Sequence, residues 1–111
     1  MATKYGVYIG RNSVIGSNIK IPHPTSIVIG DRVQIGNDVT IYQGVTIGVV
    51  NNKNIYPIIK NGVTIYANTT IVGNVIIGEN SIIGANSFVN TDIESNSIYI
   101  GQPARKIKTI I

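Results

Sequence analysis

An aliphatic residue every six positions is the feature that most restricts what this chain can fold into. Ile or Val stands at Ile9, Ile15 and Ile21, then at Ile29, Ile35, Ile41 and Ile47, then at Ile59, Ile65, Ile71, Ile77, Ile83 and Val89. Glycine often follows, as at Gly10, Gly16, Gly30, Gly36, Gly48, Gly78 and Gly84. Four positions after the aliphatic comes a small or β-branched residue, as at Val33, Val39, Val45, Thr69, Ser81 and Ser87. Helices repeat a buried face about every 3.6 residues and strands about every 2, so a period of six fits neither over such a length. It fits a triangular β-solenoid, an all-β fold in which each hexad lays one short strand along one face of a coil. The aliphatic residue points to the axis, and Gly or Asn turns the tight corner. Three hexads close one turn, which predicts four to five coils in 111 residues. A propeller or sandwich needs strands at longer and less regular spacing.

Composition supports the same reading. The chain holds 24 Ile and 12 Val with no Leu, Trp or Cys. β-Branched side chains favour extended structure, and the absence of Leu, a usual core residue of helical bundles, argues against a bundle. At 111 residues the chain predicts a single domain over 1–111, with a short tail at its C-terminal end. Without cysteine there is no disulfide, no thiolate metal site and no cysteine nucleophile. The net charge of +4 is scattered, clustering at Arg105, Lys106 and Lys108, so no nucleic-acid footprint is legible. There is no signal-peptide core and no membrane-spanning apolar run, which predicts a cytoplasmic protein. One histidine, His23, is present.

The repeat is interrupted twice. Its phase slips by two residues between Ile21 and Ile29, around Pro22-His23-Pro24. Between Ile47 and Ile59 a hexad is replaced by a polar, Asn-rich stretch that predicts an extruded loop near 49–57. With the closing Gly101-Gln102-Pro103-Ala104-Arg105-Lys106, these features resemble the hexapeptide-repeat acyltransferases over nearly the whole chain. Within that family, Ile21 to Gly48 looks most like serine O-acetyltransferases and the O-acetyltransferases of capsule and exopolysaccharide synthesis. The resemblance implies a left-handed parallel β-helix, acetyl-CoA as acyl donor, no metal, and a homotrimer with its active sites at subunit interfaces.

The chemistry converges on His23. Flanking prolines restrict its backbone, and the break in the repeat frees its ring from the stacked interior. The resemblance matches it to the family histidine that precedes the segment Ile27-Val28-Ile29-Gly30. With no cysteine and no legible Ser-His-Asp set, direct transfer is the simplest route. Imidazole, whose ordinary titration range lies near neutral pH, takes the proton of an acceptor hydroxyl as it attacks the thioester. The resemblance also implies where this chain departs from serine acetyltransferases. Pro22 stands where they carry an aspartate, Tyr8 where an aspartate pairs with the histidine, and Ile55-Tyr56-Pro57 where they have Arg-His-Pro. Losing that arginine removes a carboxylate clamp, which turns the expectation from serine toward a saccharide hydroxyl. Tyr56 then becomes a hydrogen-bond donor to acceptor or oxyanion, and Tyr8 a group that orients His23; the alternative for each is a rim tyrosine at a trimer contact. For CoA, the matching positions are Gly48, Ala67 and Ala85 along the pantetheine arm, narrowed by Tyr66 and Asn68. Arg105, Lys106 and Lys108 are phosphate contacts or else a solvated terminus. A serine O-acetyltransferase and a non-catalytic structural solenoid stay open as alternatives.

Overall fold

The computed structural model describes residues 2–4, 6–48 and 55–110. Most of the expected loop, residues 49–54, lies outside the described residues. Among the described residues there is no helix, and the strands fall into three sheets that form the faces of a stacked coil. The first sheet holds β1 (Ala2–Lys4), β2 (Val7–Ile9), β4 (Ile27–Ile29), β7 (Thr46–Gly48), β10 (Thr70–Val72) and β13 (Phe88–Val89). The second holds β3 (Val14–Ile15), β5 (Gln34–Ile35), β8 (Ile58–Ile59) and β11 (Ile76–Ile77). The third holds β6 (Thr40–Ile41), β9 (Thr64–Ile65), β12 (Ile82–Ile83), β14 (Ser97–Gly101) and β15 (Ala104–Thr109).

Register carries the repeat into three dimensions. Ile65 lies beside Ile83 and Ile71 beside Val89, each pair eighteen residues apart, or three hexads per coil. The Pro22-His23-Pro24 slip lengthens its coil by two, so Ile9 pairs with Ile29 and Ile15 with Ile35. The segment between Ile47 and Ile59 adds six, so Ile35 pairs with Ile59 and Ile47 with Ile71. One further irregularity is absent from the expected pattern: the last coil is two residues short, and Ile83 pairs with Tyr99.

The aliphatic positions form one continuous axis. Every hexad Ile from Ile29 to Ile83, with Val89, is buried, and so are Val33, Val39, Val45, Val63 and Val75 from the second small-residue position. Each fully buried Ile side chain contributes about 1.5–3 kcal/mol relative to exposure. Thr69, Ser81 and Ser87 are buried polar residues, and each hydroxyl donates to a corner carbonyl (Gly84 O at 3.1 Å, Gly78 O at 2.7 Å, Gly84 O at 2.7 Å). The axis weakens toward the first coil, where Ile15 is 37% exposed.

Corner chemistry follows the expectation in part, since Gly44, Gly62 and Gly73 turn at positive φ. Asn18, Asn68, Asn80, Asn86 and Asn96 turn corners in the left-handed region, with φ from 54° to 61°, which Asn tolerates better than most residues. The glycines that follow the hexad aliphatic mostly serve close approach instead. A Cβ on Gly10 would lie 2.4 Å from Asp31 N, and one on Gly78 2.4 Å from Ser95 N. The residues after Gly101 do not trail off as a tail. They form β15, antiparallel to β14, which covers the C-terminal edge of the third sheet.

Candidate active site

His23 projects from the corner that leads from the third sheet into the first. Its carbonyl accepts the Thr25 N–H at 2.8 Å, and the side chain is exposed. Successive coils bring aromatic rings alongside. The Tyr42 ring lies 6.4 Å from the His23 ring, tilted by 45°, and stacks on Tyr66 at 4.9 Å and 19°. Parallel register of Ile41 with Ile65 sets that stack, which is worth about 0.5–1.5 kcal/mol beyond buried area. Beside Tyr42, the Oε1 of Gln43 is buried with no hydrogen-bond partner among the described residues. Such an orphan costs about 1–3 kcal/mol.

The segment entering β2 is fastened against this corner. Gly6, at φ +77°, sits so close that a Cβ there would lie 3.2 Å from both Thr25 Cα and Ser26 N. Its carbonyl accepts the Ile27 N–H at 3.0 Å. Two residues later, Tyr8 pairs with Val28 across the first sheet. Val7 and Ile9 pack on the core, so alternation turns Tyr8 outward. No hydrogen bond or ring contact joins Tyr8 to His23 among the described residues.

Tyr56 stands at the opposite edge of the first sheet, where that sheet turns into the second. The Arg32 guanidinium lies 5.8 Å from its ring centre, a cation–π contact. A neighbouring cavity of about 350 Å³ is lined by Tyr8, Arg11, Asn12 and Asp31. Asp31 accepts the Asn12 N–H at 2.7 Å, and this bond holds its carboxyl below the usual range, helped by Arg32 and Arg11. Within one chain, His23 and Tyr56 therefore flank one sheet rather than meet.

Two of the expected CoA positions run along the molecule from His23, and the third, Gly48, lies at the opposite edge of the first sheet. Ala67 and Ala85 occupy the His23 corner on later coils, and the Ala67 carbonyl accepts the Asn86 N–H at 2.8 Å. Tyr66 and Asn68 flank Ala67, as the sequence requires. Gly48 ends β7, and a Cβ there would meet nothing within 4 Å among the described residues. A cavity of about 520 Å³ opens farther along, between Asn68, Thr70, Phe88, Gln102 and Pro103. Arg105 and Lys106 lie on β15. Lys106 Nζ is 3.0 Å from Glu94 Oε1, and its hydrogen bond and charge depress the Glu94 carboxyl. Among the described residues no cluster of three or more His, Cys, Asp or Glu forms a metal site, and no helix is long and apolar enough to cross a membrane. Tyr42 escaped the sequence reading because it stands at the position where the repeat usually carries the glycine that follows an aliphatic, here Ile41.

Comparisons place this geometry among known proteins. Residues 56–91 match the bacterial transferase hexapeptide (six repeats) family, and residues 26–49 match the hexapeptide repeat of succinyl-transferase. No curated protein sequence gives a significant match. Among solved structures, serine acetyltransferase from Neisseria gonorrhoeae is similar at 34% identity and a TM-score of 0.91, covering 96% of this chain and 41% of its own. That from Brucella abortus strain S19 is similar at 33% and 0.88, covering 92% and 42%. A serine acetyltransferase in complex with CoA matches at 38% and 0.81, covering 86% and 40%. The chain thus spans about two fifths of the length of these structures.

Proposed function

We propose that this chain, a left-handed β-helix of bacterial-transferase hexapeptide repeats resembling that of the serine acetyltransferases, moves an acetyl group from acetyl-CoA to a hydroxyl. His23 is the general base. Its ring nitrogen takes the proton of the acceptor hydroxyl as that oxygen attacks the thioester carbon. The tetrahedral intermediate collapses with loss of CoA thiolate, and the imidazolium returns the proton to sulfur. Holding both substrates together supplies much of the rate, and base catalysis contributes about 10²–10⁴-fold. The observation that carries the reading is His23 in the two-residue slip of the coil, exposed and beside the Tyr42–Tyr66 stack.

Gly48, Ala67 and Ala85 leave room for the pantetheine arm, with Arg105 and Lys106 as phosphate contacts. Similarity to a serine acetyltransferase solved with CoA supports this donor. Tyr56 and Tyr8 donate to the acceptor or orient the base. The unit acts as a homotrimer in the cytoplasm, which brings the Tyr56 edge of one copy toward the His23 corner of another.

Two acceptors are in contention. The structural neighbours favour serine. Pro22, Tyr8 and Ile55 favour a sugar, nucleotide sugar or polysaccharide hydroxyl, because a zwitterion's ammonium and carboxylate lose their partners there. Following thiol release with serine and a sugar panel separates them. A rate with serine that matches or exceeds the best sugar selects serine, and no thiol release with any acceptor, together with no CoA binding by calorimetry, leaves a structural solenoid.

A further inference from the structure

The coil that follows His23 grips its corner on both sides. The Ile41 N–H donates to the Lys20 carbonyl at 2.9 Å, and the Gly44 N–H donates to the Thr25 carbonyl at 3.0 Å. Between those two bonds the His23 coil carries four residues, Ile21 to Pro24, and the next coil only two, Tyr42 and Gln43. The slip in the repeat is therefore a two-residue bulge facing Tyr42 and Gln43, and His23 stands on it.

The flanking prolines restrict the backbone of that bulge but leave the side-chain torsions of His23 free. Among the described residues no hydrogen bond or ion pair holds the imidazole, and neither a hydrogen bond nor a ring contact joins it to Tyr8. An exposed ring so placed divides itself among staggered rotamers, whereas proton transfer needs the base in one geometry. What meets the imidazole is the ring of Tyr42. A centroid distance of 6.4 Å and a tilt of 45° fall within the range of attractive aromatic pairs. Tyr42 is itself held firmly. Its N–H donates to Ile65 O at 3.0 Å, its ring stacks on Tyr66 at 4.9 Å and 19°, and the Tyr66 N–H donates to Ile83 O at 3.0 Å. Successive coils thus carry the rigidity of the axis out to the imidazole.

Building on the reading of His23 as the base of an O-acetyltransferase, we infer that Tyr42, braced by Tyr66, is the positioning residue of that base. Its ring, in place of a carboxylate, selects the imidazole rotamer from which the acceptor's proton is taken. Tyr42 acts through His23 alone, and Tyr8 and Tyr56 are left to the acceptor. The contact joins adjacent coils of one chain, so it is complete in each copy whichever edge of another copy faces the His23 corner.

The test uses Tyr42→Leu and Tyr42→Phe in the whole chain. Tyr42 stands outside the buried axis, so both variants should fold, which circular dichroism checks. Tyr42→Leu should lower kcat by about 2–10-fold, the range of an aromatic pair converted to a population, with the KM for acetyl-CoA unchanged. Tyr42→Phe should keep most of the wild-type kcat. Equal losses in the two variants would assign the work to the hydroxyl and overturn the inference, as would a rise in KM without a fall in kcat. A second readout needs no turnover. His23 is the one histidine of the chain, so its two carbon-bound ring protons give unambiguous NMR signals. With the imidazole neutral, Tyr42→Leu should move those signals toward the values of a free histidine, Tyr66→Leu should move them the same way by less, and Tyr42→Phe should leave them near wild type. An Overhauser contact from these protons to a tyrosine ring is expected in the wild type and requires no variant. Its absence, or signals that ignore Tyr42→Leu, overturns the inference whatever the activity. Full turnover in His23→Ala overturns the reading of His23 as the base, and the inference with it. An inactive His23→Ala beside a fully active Tyr42→Leu overturns the inference alone.

Discussion

Two glycine-to-alanine substitutions separate the stacking of coils from the path of the donor. At Gly10 an added Cβ would lie 2.4 Å from Asp31 N and 2.5 Å from Asp31 Cα. Both atoms are backbone, so no rotamer change relieves the contact, and the first two coils must part by about 1 Å to reach ordinary van der Waals distance. That movement weakens the Gly10 N–H bond to Ile29 O at 2.8 Å and the Asn12 N–H bond to the Asp31 carboxylate at 2.7 Å. Losing about 1 kcal/mol for the Gly10 bond, together with about 1–3 kcal/mol of overpacking strain, outweighs the roughly 0.4–1 kcal/mol gained by stiffening the unfolded chain. Gly10→Ala should therefore cost about 2–3 kcal/mol. Gly48→Ala differs in kind, because its Cβ meets nothing within 4 Å among the described residues; stability should hold or rise by the same few tenths to 1 kcal/mol. If Gly48 borders the pantetheine arm, that methyl instead raises the KM for acetyl-CoA, by about tenfold. Urea unfolding followed by circular dichroism gives the first pair of numbers and thiol-release kinetics the second. A Gly10→Ala protein within 0.5 kcal/mol of wild type would refute the close-packing account, and an unchanged KM in Gly48→Ala would move the donor path elsewhere.

Other perturbations probe separate links. Ile65→Ala, at a fully buried axis position, should cost about 2–5 kcal/mol, whereas Ile15→Ala at the partly exposed first coil should cost clearly less; both are read from urea midpoints. Asn80→Ala at φ 59° should lose about 1–2 kcal/mol and Asn80→Gly much less, and equal losses would mean that the Asn side chain rather than the backbone angle matters. Lys106→Ala should raise the Glu94 carboxyl toward its ordinary value of 4.5, since the Lys106 hydrogen bond is the main cause of its depression. Because that folded value is lowered, the small stabilisation is present at neutral pH and fades as pH falls through and below the ordinary carboxylate range. Carboxyl NMR titration of wild type and variant checks both the direction and the window.

The hexad positions make the fold legible in the sequence alone. Ile29 to Ile83 form the axis, and the two-residue slip at Pro22-His23-Pro24 reappears as register in three sheets. What the repeat could not show comes from changes in coil length. Tyr42 and Tyr66 are stacked partners because the segment after Ile47 adds six residues to a coil, so their spacing is not a multiple anyone would read as adjacent. Tyr99 enters the core in place of an Ile because the last coil loses two residues. Glycines looked alike in the repeat, yet those after the hexad aliphatic mostly serve close approach, whereas Gly44 and Gly62, like the corner asparagines, make the left-handed turn, a division that depends on φ and on the facing coil.

The proposed mechanism has His23 remove the acceptor's proton. Thiol release from acetyl-CoA should be followed with the best acceptor, in wild type and in His23→Ala, beside calorimetric binding of CoA. Since His23 is exposed and outside the axis, the substitution should leave the melting temperature and CoA affinity unchanged while lowering kcat by about 10²–10⁴-fold. Full turnover in His23→Ala would contradict the account.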